Sequence, residues 1–330
     1  MPRLRVLTWH VHGNYLWYLS SISHDIFLPV RAGAPEGYGG RGASFTWPDN
    51  VHEVAAEEVR DLEIDVVVTQ SHRNWLEDRP AILSPAQLHL PHVHIEHDPP
   101  RASPTDTRHP IDDPSVLIVH VTPFNRLMWD SGRSPTRVIE HGVTVPETAR
   151  YTGELERGLV VVNGLSTRGR RLGADVFDEV RRSVPLDLVG MQSEAAGGLG
   201  EVPPTELGAF EARYRFFFNP IRWTSLGLAV CEAMMVGLPI IALATTEMAT
   251  VVENGVSGFV DTDVVRLVGR MHHLLRDPDL ARELGEGARR TAQQRFSIDR
   301  FAADWDATLR EVAQPGAGTT ERTNSSTLAT

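Results

Sequence analysis

More than any other part of the chain, residues 216–261 constrain the fold; they read FFFNPIRWTSLGLAVCEAMMVGLPIIALATTEMATVVENGVSGFVD. Two apolar runs, Phe216–Phe218 and Ile240–Leu243, are long enough to form buried strands. The residues between them show helical spacing and end at Gly237 and Pro239, in the order expected at a helix C-terminus. Two strands joined by a helix form a parallel, right-handed crossover unit. The stretch therefore predicts a parallel sheet covered by helices.

The turns that follow these two strands, residues 219–225 and 244–250, are where a ligand is expected. In open parallel sheets, ligands bind beyond the carboxyl ends of the strands. Both turns lead into helix N-termini, whose free backbone N–H groups favour anions. The N–H groups that suit a diphosphate are those of Ser225, Leu226, Gly227 and Leu228. An ordinary helix start, capped by the side chain of Thr224 or Ser225, accounts for the same pattern, and both interpretations can hold together.

The phrases TSLGLAVCEAMMVGLPI and ENGVSGFV resemble the donor-sugar half of retaining glycosyltransferases of family 4. That family carries a phrase like EGFGLxxLEAMAxGxPV, with two Glu residues separated by seven others, and an ENGxxGxLV ending. Thr224 stands where the first Glu is usual, and Thr246, Glu247 and Thr250 replace the usual Gly-Gly and the following Glu. The resemblance implies the GT-B fold, an α/β architecture of two doubly wound, Rossmann-like domains that face each other across a cleft. The residues that match the family are Gly227, Leu228, Glu232, Ala233, Met234, Gly237 and Pro239.

The length of 330 residues fits two domains of about 150 residues each. Strands and helices are predicted to alternate in both halves, which is typical of doubly wound domains. Within the first half, residues 51–62 are predicted to form a helix. The predicted parts are an N-terminal, acceptor-side domain (1–150), a C-terminal, donor-side domain (156–300), a terminal helix that by resemblance packs back on the first domain (301–313) and a disordered Gly/Ser/Thr-rich tail (315–330).

Composition excludes several classes of protein. A net charge of -11 argues against general nucleic-acid binding. No apolar run approaches the ~20 residues that span a bilayer, although peripheral contact with a lipid acceptor stays open. A single Cys excludes an internal disulfide and fits a reducing compartment, so a cytoplasmic protein is expected.

All 32 basic residues are Arg, so any phosphate clamp uses Arg, backbone N–H groups or helix termini. Arg168, Arg170 and Arg171 form a tight basic group after the first strand of the donor domain. By resemblance, an Arg and a Lys of this loop neutralise the leaving diphosphate, and Arg168 and Arg171 are the favoured equivalents. Arg222, beside the phosphate turn, is a further donor-binding candidate. Solvated surface arginines are the alternative interpretation.

His97 ends a predicted strand, and the resemblance implies that it is a catalytic histidine that faces the donor sugar. It closes a histidine-rich run, for which a metal site is the alternative interpretation. Because side chains alternate along a strand, His92 and His94 share one face and His97 lies on the other. The spacing lacks a known zinc signature, so no metal ligand is expected. Other histidines at predicted strand ends are His10, His12, His120 and His141.

Glu232 lies among apolar neighbours, where an ionised carboxylate needs a partner. The resemblance implies that it accepts hydrogen bonds from the ribose hydroxyls of the nucleotide; a carboxylate satisfied by a nearby Arg or by the backbone is the alternative. Gly13, in the first strand-to-helix turn, is expected to face the cleft. The family loop that contacts the donor sugar corresponds to Thr246, Glu247 and Met248.

The expected function is therefore transfer of a sugar from a nucleotide-diphosphate sugar to an acceptor hydroxyl, with retention of configuration and without a metal or other cofactor. The acceptor, whether a sugar, glycan, lipid or small molecule, stays open, as do the base and the sugar of the donor. Because Thr224 replaces the usual first Glu, the chain lacks the carboxylate that this Glu would provide. Its absence is compatible with a changed choice of donor or with a weakened enzyme. Three alternatives remain: a non-catalytic sugar-nucleotide-binding protein, a sugar-nucleotide epimerase of the same fold and a histidine-metal hydrolase.

Overall fold

Two parallel β-sheets organise the protein, whose computed structural model describes residues 2–314. The predicted tail, 315–330, lies outside these residues. The first sheet has seven strands in the order β3-β2-β1-β4-β5-β6-β7. Its strands are β1 (Arg5–Thr8), β2 (Asp25–Val30), β3 (Val51–Ala55), β4 (Val66–Thr69), β5 (His92–Glu96), β6 (Val116–His120) and β7 (Thr136–Val138).

The second sheet has five strands in the order β12-β11-β10-β8-β9. Its strands are β8 (Leu155–Val161), β9 (Leu186–Val189), β10 (Tyr214–Asn219), β11 (Ile240–Leu243) and β12 (Gly258–Asp261). Strands β10 and β11 pair in parallel, with Phe217 opposite Ile240, as the crossover unit predicts.

The helices of the described residues cover both sheets, and none of them is long and apolar enough to cross a bilayer. Short 3-10 or π turns occupy Val59–Asp61, Asn74–Asp78, Gln87–His89, Gly169–Leu172 and Ser193–Ala196. The helices are α1 (Gly13–Leu19), α2 (Arg79–Ile82), α3 (Pro123–Met128), α4 (Leu165–Arg168), α5 (Ala174–Val180), α6 (Pro204–Glu211), α7 (Leu228–Val236), α8 (Met248–Val251), α9 (Val264–Arg276), α10 (Pro278–Arg295) and α11 (Ile298–Ala313).

The helix predicted for residues 51–62 is wrong. Val51–Ala55 forms the edge strand β3, and only a single 3-10 turn follows at Val59–Asp61. Pairing with β2, where Ile26 lies opposite Val51, overrides the helical spacing of the apolar residues. Strand conformation also suits the β-branched Val51 and Val54.

Helix α7 is the central element of the second domain. Every residue from Val230 to Val236 is buried, which explains why the helix is apolar on all sides except at Glu232. It ends at Gly237, whose φ of 104° is a left-handed conformation that glycine adopts readily. Phe217 packs in the same core cluster as α7, whereas Phe216 and Phe218 face the opposite side of the sheet. Burial of both faces makes β10 the rigid strand from which the turn at 219–227 departs.

Helix α11 lies against the first domain and starts at Ile298 rather than at residue 301. Arg137 of β7 donates to the hydroxyl of Thr308 at 2.9 Å and to the carboxylate of Glu311 at 2.8 Å. A side chain at Gly142 would collide with Phe301, so only glycine allows the helix to approach this closely. These contacts connect the end of the chain to the first sheet.

Candidate functional site

The carboxyl ends of the two sheets face each other across a cavity of about 520 Å³. The first domain contributes the β1–α1 turn and the start of α1, and the second contributes the ends of β8 and β9 and the start of α7. A smaller cavity of about 320 Å³ adjoins it and shares Asn14 and Glu232. The predicted donor-binding residues that line the larger cavity are Gly13, Gly227, Leu228 and Glu232.

Glu232 is held by a residue of the other domain. The hydroxyl of Tyr18, in α1, donates to Glu232 Oε1 at 2.7 Å. Burial raises the pKa of Glu232, and the Tyr18 hydrogen bond opposes that shift. Among the described residues, no hydrogen bond reaches Oε2. The partner is thus neither an arginine nor the backbone, and one carboxylate oxygen remains available beside the cavity.

The N-terminus of α7 opens onto the same cavity. Gly227 precedes the helix with φ −74° and ψ 138°, and no side chain caps it, so neither Thr224 nor Ser225 acts as a cap. His141 Nε2 donates to the carbonyl of Leu226 at 2.8 Å and fixes the turn from the first domain. Gly227 and Leu228, where α7 begins, line the cavity, so the free N–H groups of the first helical turn lie beside it.

Asp175 forms ion pairs with only two of the four arginines that were predicted to bind the donor. Its carboxylate pairs with Arg170 at 2.5 Å and with Arg222 at 2.5 and 2.9 Å. Within residues 2–314, neither Arg168 nor Arg171 forms an ion pair with a carboxylate. A pair of cations without carboxylate partners can bind a diphosphate without first breaking a salt bridge. The geometry therefore favours Arg168 and Arg171 over Arg170 and Arg222.

The basic loop and the phosphate turn are packed as one unit. The carbonyl of Arg171 accepts hydrogen bonds from the backbone N–H groups of Arg222 and Trp223, both at 3.1 Å. Gly173 has φ of 81°, and a side chain there would collide with the carbonyl of Pro220. Glycine at this position thus allows the two loops that carry the charged residues to touch.

Two histidines of the first domain lie side by side at the cleft. His12 is exposed and lines the cavity, and its ring centroid lies 4.1 Å from that of His97. His97 is absent from the cavity lining in the described residues and packs edge-on against Tyr15, with ring centroids 4.6 Å apart. Burial lowers the pKa of His97 well below its usual range, so this ring is neutral at neutral pH. The structure places His12 at the wall and His97, the predicted catalytic histidine, behind it.

Glu247 lies at the domain interface rather than in the cavity. Its Oε2 accepts a 2.9 Å hydrogen bond from the backbone N–H of Phe124, in the first turn of α3, and its Oε1 accepts one of 2.5 Å from the hydroxyl of Thr250. Thr246 adopts φ of 50°, and Met248 is buried. Both oxygens of Glu247 are thus engaged, and the expected contact with donor-sugar hydroxyls is not made by this carboxylate as placed.

Sequence reasoning missed two residues that shape the site. Tyr18 holds Glu232, and Asn163, after β8, lines the cavity while its side-chain oxygen accepts from the N–H of Met191 at 2.8 Å. Tyr18 carries no local sequence signal, because its partner is 214 positions away along the chain. Asn163 directly follows a predicted buried strand. A polar residue at the carboxyl end of a parallel strand could have indicated a ligand-binding position.

Comparison with known proteins identifies similarities in part of the second domain and in the overall fold. Residues 172–277 match the family model described as Glycosyl transferases group 1, and the match lies within the second domain. No curated protein matches the sequence.

Solved structures match nearly the whole chain. Sucrose-phosphate synthase from Thermosynechococcus elongatus superposes with a TM-score of 0.70 at 16% identity, over 94% of this chain and 99% of that chain. A glycosyltransferase from Rickettsia africae gives 0.67 at 12% identity, over 95% and 100%. The Anabaena protein HepE in complex with UDP gives 0.67 at 14% identity, over 94% and 100%. At these identities the similarity concerns the fold, and the predicted GT-B fold is confirmed.

Proposed function

We propose that this chain is a glycosyltransferase that moves a sugar from a nucleotide-diphosphate sugar to an acceptor hydroxyl. The observation that carries the proposal is the interdomain cavity, whose wall combines Gly13 of the first domain with Gly227, Leu228 and Glu232 of the second. The match of residues 172–277 to a glycosyltransferase family model supports the same activity.

The donor would bind with its nucleotide on the second domain. Oε2 of Glu232 accepts hydrogen bonds from the ribose hydroxyls, while Tyr18 holds the other oxygen. The diphosphate lies between the N-terminus of α7 and the unpaired guanidinium groups of Arg168 and Arg171. Both features attract anions, and in a cleft they act with less screening by water.

The reaction needs no enzymatic nucleophile in this proposal. The bond between the anomeric carbon and the diphosphate oxygen breaks, and the acceptor oxygen bonds to the same carbon on the same face. The acceptor proton passes to the leaving diphosphate. Arg168, Arg171 and the N–H groups of α7 offset the charge that develops on the leaving group. Attack from the departing face gives retention. The guanidinium groups take the role that a metal cation would otherwise have, so the proposed transfer is metal-independent.

In this proposal, His12 and His97 form an uncharged surface on the side of the cavity where the donor sugar binds. His12 faces the cavity and contacts the donor sugar, whereas His97 supports the ring of His12 from behind. Desolvation lowers the pKa of His12; the charges of Asp98 and Glu96 oppose this shift, and the positive charges of Arg101 and Arg168 add to it. The uncharged imidazole then avoids repelling an oxocarbenium-like transition state.

Donor binding is tested by thermal shift with UDP, GDP, ADP, dTDP and their common sugars, with and without EDTA. UDP sugars come first, because the structurally similar HepE contains UDP. One nucleotide is expected to raise the melting temperature by mass action, with EDTA leaving the nucleotide-dependent shift unchanged and Glu232→Ala abolishing it. Absence of a shift with every nucleotide contradicts the proposal.

Turnover separates the remaining alternatives. Nucleotide release that depends on an added acceptor, with retention seen by NMR of the product, is expected. Conversion of the donor without an acceptor indicates an epimerase, and binding without turnover indicates a non-catalytic binder, which Thr224 would explain.

A further inference from the structure

Four polar side chains converge on one point of the first domain, away from the cavity. They come from three separate segments: the loop after β4 gives His72, strand β5 gives His94 and Glu96, and the segment before β6 gives His109. One ligand atom from each lies within 4.8 Å of all the others. His72 and His109 Nε2 are each 3.1 Å from Glu96 Oε2, and His94 Nε2 is 4.0 Å from it.

His94 points an unpartnered nitrogen into this cluster. Its Nδ1 is hydrogen-bonded to the hydroxyl of Thr69 at 2.8 Å, whereas its Nε2 is buried and has no hydrogen-bond partner among residues 2–314. A neutral imidazole with one nitrogen held by a hydroxyl and the other free is the form in which histidine binds a metal.

His109 differs from the other two rings. Its Nδ1 accepts a hydrogen bond from the backbone N–H of Ile111 at 3.1 Å, so the proton of the neutral ring is on Nε2. That N–H donates to Glu96 Oε2. His109 is thus placed to orient the carboxylate rather than to coordinate an ion. His72 is partly exposed, and its Nε2 is hydrogen-bonded to Glu96 Oε2, so a metal ion would take the place of the proton between these two atoms.

We propose that His72, His94 and Glu96 bind one divalent transition-metal ion of the zinc class, and that His109 is the positioning residue for Glu96. Zinc–nitrogen and zinc–oxygen bonds of about 2.0–2.2 Å in a tetrahedral site set ligand atoms roughly 3.3 Å apart. The 3.1 Å separation of His72 Nε2 from Glu96 Oε2 fits this value. The 4.0 Å separation of His94 Nε2 from the same oxygen closes with a side-chain movement of less than about 1 Å.

The ion has a structural role in this proposal. Glu96 ends β5, and the segment that follows reaches the second domain, where the indole N–H of Trp223 donates to the carbonyl of Pro100 at 2.9 Å. Coordination at Glu96 ties the start of that segment to β5 and to the loop after β4. None of the four cluster residues lines the interdomain cavity.

The test is metal binding by the full chain with any purification tag removed. Chelator-treated protein is titrated with Zn²⁺ and with Co²⁺, with metal content measured by mass spectrometry and cobalt coordination by visible absorption. Wild-type protein is expected to bind one ion per chain and to show cobalt ligand-field bands. Glu96→Gln and His72→Ala are expected to lose both the bound ion and the cobalt bands. Because His72 is partly exposed, His72→Ala is expected to fold even if Glu96→Gln, at a buried position, does not.

Two further variants sharpen the assignment. His89→Ala removes an exposed histidine that lies near the cluster residues in the sequence but outside the cluster. This variant is expected to bind the metal ion as the wild-type protein does. His109→Gln is expected to weaken binding about 10–100-fold while keeping the cobalt bands, as for residues that act through a ligand. The proposal is overturned if wild-type protein binds no ion, or if His72→Ala and Glu96→Gln bind Zn²⁺ as tightly as His89→Ala does.

Discussion

Tyr18 and Glu232 join the two domains through a buried hydrogen bond of 2.7 Å. Tyr18 belongs to α1 of the first domain and Glu232 to α7 of the second. The bond fixes the orientation of the carboxylate that lines the cavity, and it does so only when the domains are together. Closure of the cleft and preparation of the donor site are therefore coupled through this pair.

Tyr18→Phe is expected to weaken donor binding and to lower stability. The variant keeps the ring but leaves Glu232 Oε1 buried without its donor, which costs about 1–3 kcal/mol. Isothermal titration with the preferred nucleotide and thermal unfolding measure the two effects. Tyr151→Phe is the matched control, because Tyr151 bonds a carbonyl within the second domain, that of Arg215. Equal loss of nucleotide affinity in both variants would contradict the coupling.

Arg171→Gln and Arg170→Gln are expected to differ sharply in activity. Arg171 has no ion-pair partner among the described residues and is available to the leaving diphosphate, whereas Arg170 is paired with Asp175. Loss of one charge that stabilises the transition state typically costs about 10²–10³-fold in kcat. Steady-state kinetics should show this loss for Arg171→Gln and a small change for Arg170→Gln. A larger loss of kcat in Arg170→Gln than in Arg171→Gln would indicate that Arg170, rather than Arg171, stabilises the leaving diphosphate.

The sequence allowed the donor half to be predicted closely, because its signals are local. Strand β10, helix α7 and strand β11 each have their own apolar pattern, and the Gly-Pro order after α7 marks its end. Residues 51–62 misled the prediction because β3 is specified by pairing with β2, a partner distant along the chain.

The side-chain clusters could not be predicted for a related reason. His72, Glu96 and His109 meet only because β4 lies beside β5 and the following segment folds back over it. The spacing within β5 showed correctly that His94 and His97 lie on opposite faces, yet it offered no sign of the partners of His94. Glu247 was expected at the sugar because its position matches a family loop, but the N-terminus of α3 holds its carboxylate instead.

Glu211→Gln is expected to stabilise the protein increasingly as the pH rises. Both carboxylate oxygens of Glu211 are buried without a hydrogen-bond partner. Burial, followed by the charge of Glu232, raises its pKa well above the ordinary value. A raised folded-state pKa gives stability that is present below the unfolded-state pKa, about 4.3, and is lost as the pH rises through the folded-state pKa.

The measurement is the difference in unfolding free energy between Glu211→Gln and wild type from pH 5 to pH 9. We expect it to grow in favour of the variant, by about 1.4 kcal/mol for each unit of pKa shift crossed. Glu206→Gln, at an exposed position of the same helix, should give a flat difference. If the difference in unfolding free energy for Glu211→Gln is also independent of pH, the pKa of the Glu211 carboxyl is not raised in the folded state.

Gly142→Ala is expected to destabilise the docking of α11. The added methyl would overlap the side chain of Phe301, and overpacking of this kind costs about 1–3 kcal/mol. Chemical denaturation measures the loss. Gly269→Ala is a control of opposite sign: it lies inside α9 with open space around it, so alanine should stabilise the helix by about 0.5–1 kcal/mol. If Gly142→Ala proves as harmless as Gly269→Ala, then α11 does not rest on the first domain through this contact, and the ion pair of Arg137 with Glu311 becomes the main connection to test.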